Sequence, residues 1–162
     1  MTSFGQRLST LICMGIALYL AYGTSHYDKE WYGKLNRSSL TPPDWVFPIV
    51  WGALYVMIGI AALKLHSPPN SSTRKLAVKL FNLQLLANGL WSYLFFGKHQ
   101  VLIALVDIFV MILSTAGCMW MAPSVRFWLL PYLIWIMFAA YLNFSIYQLN
   151  SQIDMSFSFK IK

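Results

Sequence analysis

Apolar residues run in long blocks along this chain, and polar ones collect between the blocks. The apolar runs cover 8–26, 46–64, 78–97, 101–122 and 127–149. Each approaches the ~20 residues that an α-helix needs to cross a bilayer. Charge, proline, glycine, asparagine or serine bounds every run. A single acid, Asp107, interrupts the fourth. The pattern predicts an all-α protein: a membrane-spanning five-helix bundle in one domain over 1–162.

The first run has the order of a signal peptide as well, with Arg7, an apolar stretch and then Ala21-Tyr22-Gly23. Its apolar part is long for that, so it is read as a helix. The loop over 27–45 is long and the later connections are short. Short connections imply antiparallel neighbours in a compact bundle. The tail after Asn150 is polar and expected to be loose. No internal repeat of the kind found in inverted-repeat transporters is visible.

Composition strengthens the membrane reading. The chain is 58% hydrophobic and only 10% charged, against about 25% charged in ordinary soluble domains. A soluble fold of this size could not bury so much apolar surface. The net charge of +7 raises the question of nucleic acid, but the basic residues do not cluster on an element that could enter a groove. They flank the apolar runs, as Lys and Arg do at membrane surfaces. Arg7, Lys64, Arg74, Lys75, Lys79 and Arg126 fall on one side of the bundle; Lys29, Lys34, Arg37, Lys98, Lys160 and Lys162 fall on the other. The even split leaves orientation undecided, although the dense 64–79 cluster leans toward an inside N-terminus.

Polar residues within spans mark packing bonds or pathways. Gln84, Asn88, Trp91 and Phe95 share one face of the third helix by their spacing. Asp107, Met111, Ser114 and Cys118 do so on the fourth. Trp135, Phe138, Ala139, Leu142 and Asn143 do so on the fifth, and Trp51, Tyr55, Ile58 and Ala62 on the second. Such faces fit a pocket for a large planar apolar ligand, with rings to stack on it and Asn88 and Asn143 to orient its polar edge. For any single residue, ordinary interhelical hydrogen bonding or an interface belt explains more, except at Asp107, where structure and function balance. The first helix has no such face and reads as packing. Cys13 and Cys118 read as small buried hydrophobes. His26, His66 and His99 have no partner at metal-ligand spacing, so no metal is expected. Neither a nucleophile–base set nor a phosphate loop is present.

The most individual stretch is the first loop. It carries Trp31-Tyr32, then Thr41-Pro42-Pro43-Asp44-Trp45-Val46-Phe47, then Trp51 and Tyr55. Pro-Pro stiffens the path into the second helix, and a stiff aromatic loop over a bundle could act as a lid. These residues resemble the first-loop signature of the translocator protein family, the TspO/MBR group, also called tryptophan-rich sensory proteins or peripheral benzodiazepine receptors. Gln84-Leu85, Asn88, Trp91-Ser92 and Phe95-Phe96-Gly97 match its third helix, and Ala104-Leu105-Val106-Asp107 its fourth. Pro131-Tyr132-Leu133, Trp135, Phe138-Ala139-Ala140-Tyr141-Leu142-Asn143 and Leu149-Asn150 match its fifth.

The resemblance implies a usually dimeric five-helix protein of the lipid bilayer that binds porphyrins or haem-type tetrapyrroles as ligands, with no cofactor required. Benzodiazepine-type synthetic ligands and sterols bind in some members. Carried onto matching positions, the family pocket would use Tyr32, Pro42, Trp51, Tyr55, Asn88, Trp91, Asp107, Trp135, Phe138, Ala139 and Leu142. The expected role is a membrane receptor or carrier in tetrapyrrole sensing or transport. The alternatives are light- and oxygen-dependent porphyrin breakdown, with Trp51 and Trp135 as the catalytic pair, and a structural membrane partner whose pocket is incidental. Ser38 stands where many members have proline. The basic residue that completes an animal sterol motif is absent after Tyr147, which weakens a sterol reading. A bacterial inner membrane is expected ahead of a mitochondrial outer one.

Overall fold

The computed structural model describes residues 3–23, 29–67 and 71–157, and everything described is helix, turn or loop. Six α-helices follow one another: α1 (Ser3–Gly23), α2 (Lys29–Lys34), α3 (Val46–Leu65), α4 (Ser72–Ser92), α5 (Val101–Met121) and α6 (Arg126–Phe157). A π-helical turn, Tyr93–Gly97, prolongs α4, and a 3-10 turn, Pro123–Val125, introduces α6.

The all-α expectation holds. Of the five spans expected, three described helical stretches are long and apolar enough to cross a membrane: Val46–Leu65, Val101–Met121 and Pro123–Ser151. α4 falls short because Arg74, Lys75 and Lys79 occupy its first turns and Gln84 and Asn88 its middle. α1 offers only the shorter apolar stretch Phe4–Leu20, and the end of the expected run, 24–26, lies outside the described residues. Several large apolar side chains face outward, among them Leu113 at 72% exposure and Trp120 at 76%. That surface suits lipid rather than water.

Local chemistry explains the boundaries. Ser71 caps α4 by accepting from the Arg74 amide at 3.2 Å. Pro48 sits in the first turn of α3, where a missing N–H costs little. The π turn is closed by the Lys98 amide donating to the Tyr93 carbonyl at 2.9 Å. His99 follows at φ 56°, the left-handed conformation that ends the element. α6 runs on to Phe157, so the tail after Asn150 begins as helix rather than as a loose end. The long first loop contains α2.

Packing order differs from chain order. α4 packs along α1 and α5, α5 along α6, and α6 along α3. Although a short loop joins α3 to α4, these two touch only sparsely, so a short connection did not make them close neighbours. The helices form a ring α1–α4–α5–α6–α3 that is broken between α3 and α1. The core fills it with Ile58, Phe81, Ile108, Met111, Leu129, Tyr132 and Ile136. α1 and α4 approach closely because Gly89 has no side chain: a Cβ there would lie 2.6 Å from the Ala17 Cα.

α1 does carry a polar face, contrary to expectation. Thr10, buried, donates to Asn82 Oδ1 at 2.7 Å, and Asn82 Nδ2 donates to Ser9 Oγ at 3.1 Å. Thr10 and Ser9 lie on adjacent faces, so no single 3.6-residue stripe announces them. Cys118 is buried as expected, while Cys13 is only half-buried.

Candidate functional site

Where α3, α4 and α6 diverge beneath the first loop they enclose a cavity of about 510 Å³, within the range of small-molecule sites. Three elements supply its walls. From α3 come Phe47, Pro48, Trp51 and Tyr55. From α4 and its π turn come Asn88, Trp91, Ser92, Phe95 and Phe96. Residues one turn apart on α6, Ala139, Leu142, Asn143 and Ile146, form the third wall. The wider π turn shifts the register by one residue, so that neighbouring Phe95 and Phe96 both reach the space. Tyr32, Thr41 and Asp44 close it from the loop.

The loop is fixed by its own contacts. Asn150 of α6 accepts from the Asn36 amide at 2.9 Å and donates to the Asn36 carbonyl at 2.9 Å, so one side chain replaces a pair of backbone partners. Trp31 stacks on His99 with centroids 4.0 Å apart and meets Phe95 edge-on at 5.6 Å. Tyr32 meets Phe96 at 5.7 Å. Ser38 and Tyr141 share a hydroxyl hydrogen bond of 3.1 Å, so the serine where proline is usual has its own tether. Arg37 pairs with Asp44 at 3.2 Å and lies over the Tyr32 ring. A hydrogen bond to Tyr32, helped by the charge of Asp44, raises the Arg37 pKa above its ordinary value. This ion pair is solvent-exposed and contributes at most about 1 kcal/mol. The amide clamp and the rings matter more.

The floor is a polar chain. Tyr55 donates to Asn88 Oδ1 at 2.8 Å, and Asn88 Nδ2 donates to the Tyr132 hydroxyl at 3.3 Å. Tyr132 in turn points at Met111 Sδ, 3.6 Å away. Beside it, Trp91 Nε1 donates to Asn143 Oδ1 at 3.2 Å, and Asn143 Nδ2 to the Val101 carbonyl at 2.8 Å. Both amides already hold helices together. An amide has two donors and two acceptor lone pairs, so each retains capacity to meet a ligand.

Of the residues singled out in the sequence, Tyr32, Trp51, Tyr55, Asn88, Trp91, Ala139 and Leu142 come together on the wall. Pro42, Asp107, Trp135 and Phe138 do not. Pro42 is half-buried in the loop, while its neighbour Thr41 reaches the space. Asp107 is buried at 8% exposure on α5, which contributes no described residue to the wall. Its shared face with Met111, Ser114 and Cys118 exists, but it packs into the core. Trp135 does not line the cavity, but it meets Phe47, which does, edge-on at 5.8 Å. Phe138 is turned about 100° from Ala139 and stacks with Tyr141 at 6.3 Å.

Phe95 and Asn143, which the helical spacing also puts on pocket faces, line the space too, as do Thr41, Asp44, Phe47, Pro48, Ser92, Phe96 and Ile146. Those of α3 could have been found as the turn before Trp51. Ile146 follows Asn143 by one helical turn, but nothing in its chemistry sets it apart from lipid-facing neighbours. Among the described residues no His, Cys, Asp or Glu group is arranged to hold a metal.

Comparison with known proteins accords with this geometry. A model of the TspO/MBR family matches residues 9–149. The tryptophan-rich protein TspO of Chlorobaculum tepidum is 36% identical over 154 residues, covering 90% of this chain and 98% of that one. The tryptophan-rich sensory protein of Cereibacter sphaeroides is 37% identical over 125 residues, 75% of this chain and 77% of that one. The translocator protein of Homo sapiens is 32% identical over 127 residues, 75% of each. With apolar helices of spanning length and a family match over most of its sequence, this chain is a membrane protein that belongs to the TspO/MBR family.

Proposed function

We propose that this protein is a membrane receptor or carrier for porphyrins and related tetrapyrroles, bound between α3, α4 and α6 and acting in their sensing or movement. The observation that carries the reading is the wall itself. Flat rings of Trp51, Tyr55, Trp91, Phe95 and Phe96 surround a space with few polar atoms, the chemistry that a planar macrocycle's faces require. Arg37, tied to Tyr32 and Asp44 at the rim, is a cation that a carboxylate edge would meet. Relatives named as sensory and translocator proteins support a sensing or transport role.

In this reading all of α1, α3, α4 with its π turn, α5 and α6 cross the bilayer as a five-helix bundle. Hydropathy understates α4, because Gln84 and Asn88 face the bundle interior and not lipid. The protein works as a homodimer in a bacterial inner membrane and needs no cofactor; synthetic benzodiazepine-type ligands would compete for the same space. Photo-oxidative breakdown of porphyrin has less support, since Trp51 lines the cavity and Trp135 does not.

Titration of the detergent-solubilised protein with protoporphyrin should quench tryptophan fluorescence saturably, and Trp51→Phe should weaken the effect. Quenching that never saturates would remove the ligand reading altogether, leaving a structural partner protein. Illuminated and dark incubations address breakdown: equal loss of porphyrin absorbance with wild type and with Trp51→Phe/Trp135→Phe excludes it.

A further inference from the structure

The opposite end of the molecule holds a second recess. It measures about 620 Å³ and lies between α1 and α3, in the break of the helix ring. Leu11 and Met14 form one wall; Val56, Gly59, Ile60 and Leu63 form the other. Leu11, Val56 and Leu63 are 64%, 65% and 74% exposed, so the recess is a groove open along the helices rather than a closed void. A Cβ built on Gly59 would meet nothing within 4 Å. From Val56 to Leu65 the groove follows α3 for about 14 Å, close to the ~15 Å hydrocarbon depth of one leaflet.

Polar groups gather at one end of it: Arg7, Thr10, His66 and Ser67. Arg7 is exposed and donates to the His66 carbonyl at 3.3 Å, and a guanidinium has five N–H donors to offer. Arg74 donates to the Lys64, Leu65 and Ser67 carbonyls, which plants a second cation on the C-terminus of α3. Lys64 lies over the Trp128 ring, 5.9 Å from its centroid. The wider charge pattern has one sign here. Arg7, Lys64, Arg74, Lys75, Lys79 and Arg126 belong to this end by chain order, whereas the described acids Glu30, Asp44 and Asp107 belong to the half that holds the cavity.

We propose that this groove is a binding site for an anionic phospholipid, with the phosphate at Arg7 and one acyl chain lying between α1 and α3. An apolar groove facing the bilayer takes up an acyl chain in any case; the unopposed cations at its interfacial end select the headgroup. Lys64 and Arg74 add to the positive field there, and basic groups at a membrane surface attract anionic lipid. The occupant closes the ring that the helices leave open, so it also acts as packing between α1 and α3.

Native mass spectrometry of the detergent-purified protein, with phosphatidylglycerol or phosphatidylcholine added, tests this. One phosphatidylglycerol should remain bound and phosphatidylcholine should not. Arg7→Gln should weaken retention about fivefold, the effect of losing one basic residue at a membrane surface, and Arg7→Lys should restore most of it. Gly59→Leu sets its Cβ in open space, extends a side chain into the groove and improves helix propensity, so it should fold and lose the lipid. Val56→Trp gives a second, independent obstruction. Equal retention of both lipids overturns the headgroup assignment. Undiminished retention in both Gly59→Leu and Val56→Trp overturns the acyl groove and leaves surface charge alone. Thermal stabilisation by inorganic phosphate equal to that by phosphatidylglycerol would make this a free-anion site and also overturn the proposal.

Discussion

The two ends of this molecule solve the same packing problem in opposite ways. At one end α3 and α4 part, and the first loop roofs the gap with an amide clamp and interlocked rings. At the other end α1 and α3 part, and no described segment covers the gap. The roofed space is lined by rings and hydrogen-bonded amides, so its shape is held by directional contacts. Away from its polar end the open groove is lined by Met14, aliphatic side chains and one glycine, so its shape there follows whatever fills it. A cavity that must recognise a ligand needs the first kind of wall, while a groove that accommodates a chain can use the second.

Crowding the joint between α1 and α4 is the strongest way to break this contrast. Gly89→Ala puts a Cβ 2.6 Å from the Ala17 backbone. Backbone cannot swing aside as a side chain can, so a loss of about 2–3 kcal/mol is expected. It should appear as a lower thermal midpoint in detergent, and the displaced α1 should alter the groove more than the roofed cavity.

The roof is the next target. Asn150→Ala removes both bonds to Asn36 and should cost about 2 kcal/mol, with faster release of bound porphyrin in stopped-flow fluorescence. Asn150→Asp sharpens the test. A carboxylate still accepts from the Asn36 amide, but its second oxygen would face the Asn36 and Ile146 carbonyls in a buried site, so the loss should be at least as large as for Asn150→Ala. If release is unchanged in both, the clamp does not hold the roof.

A smaller effect is expected at the floor. Tyr55→Phe takes away the donor to Asn88 Oδ1 and should cost about 1 kcal/mol. Protoporphyrin affinity should then fall by less than for Trp51→Phe, since the ring remains.

The smallest effect belongs to the open end. Burial, together with the positive charges of Arg7 and Arg74, holds the His66 imidazole below its ordinary pKa. His66 faces Thr10 of α1, at 3.0 Å from Nε2, and that hydroxyl adds no charge. The unfolded chain therefore takes up a proton on this residue before the folded one does. Its contribution to stability is complete above the ordinary imidazole value and is lost as pH falls through the lowered one. Thermal midpoints at about pH 7.5 and about pH 5.5 should differ more for wild type than for His66→Gln, because histidine is the side chain that titrates in this window.

Much of the cavity wall was legible because it draws on ring and amide side chains set at helical spacing. Asn88 and Trp91 share a helical face, and Trp51 and Tyr55 share another, so periodicity alone brought them together. Asp107 misled for a physical reason. Acid in a span signals a special environment, but not whether that environment is a cavity or the core beside it. Trp135 lies one turn before Ala139 on the same face, yet it packs edge-on against Phe47 of α3 and does not line the space. That contact depends on a residue from another helix.

The sequence by itself determined the helical, lipid-facing character of this protein, since long apolar runs leave the backbone no other way to satisfy its polar groups in a bilayer. It also determined which residues could meet a planar ligand, since ring and amide chemistry is local. Only the tertiary structure decided which of them line the cavity. Ring order is set by side-chain fit between helices distant in sequence, and that fit put α6, not α4, beside α3. The same fit opened the break between α3 and α1, a feature of spacing between backbones that no single helix encodes.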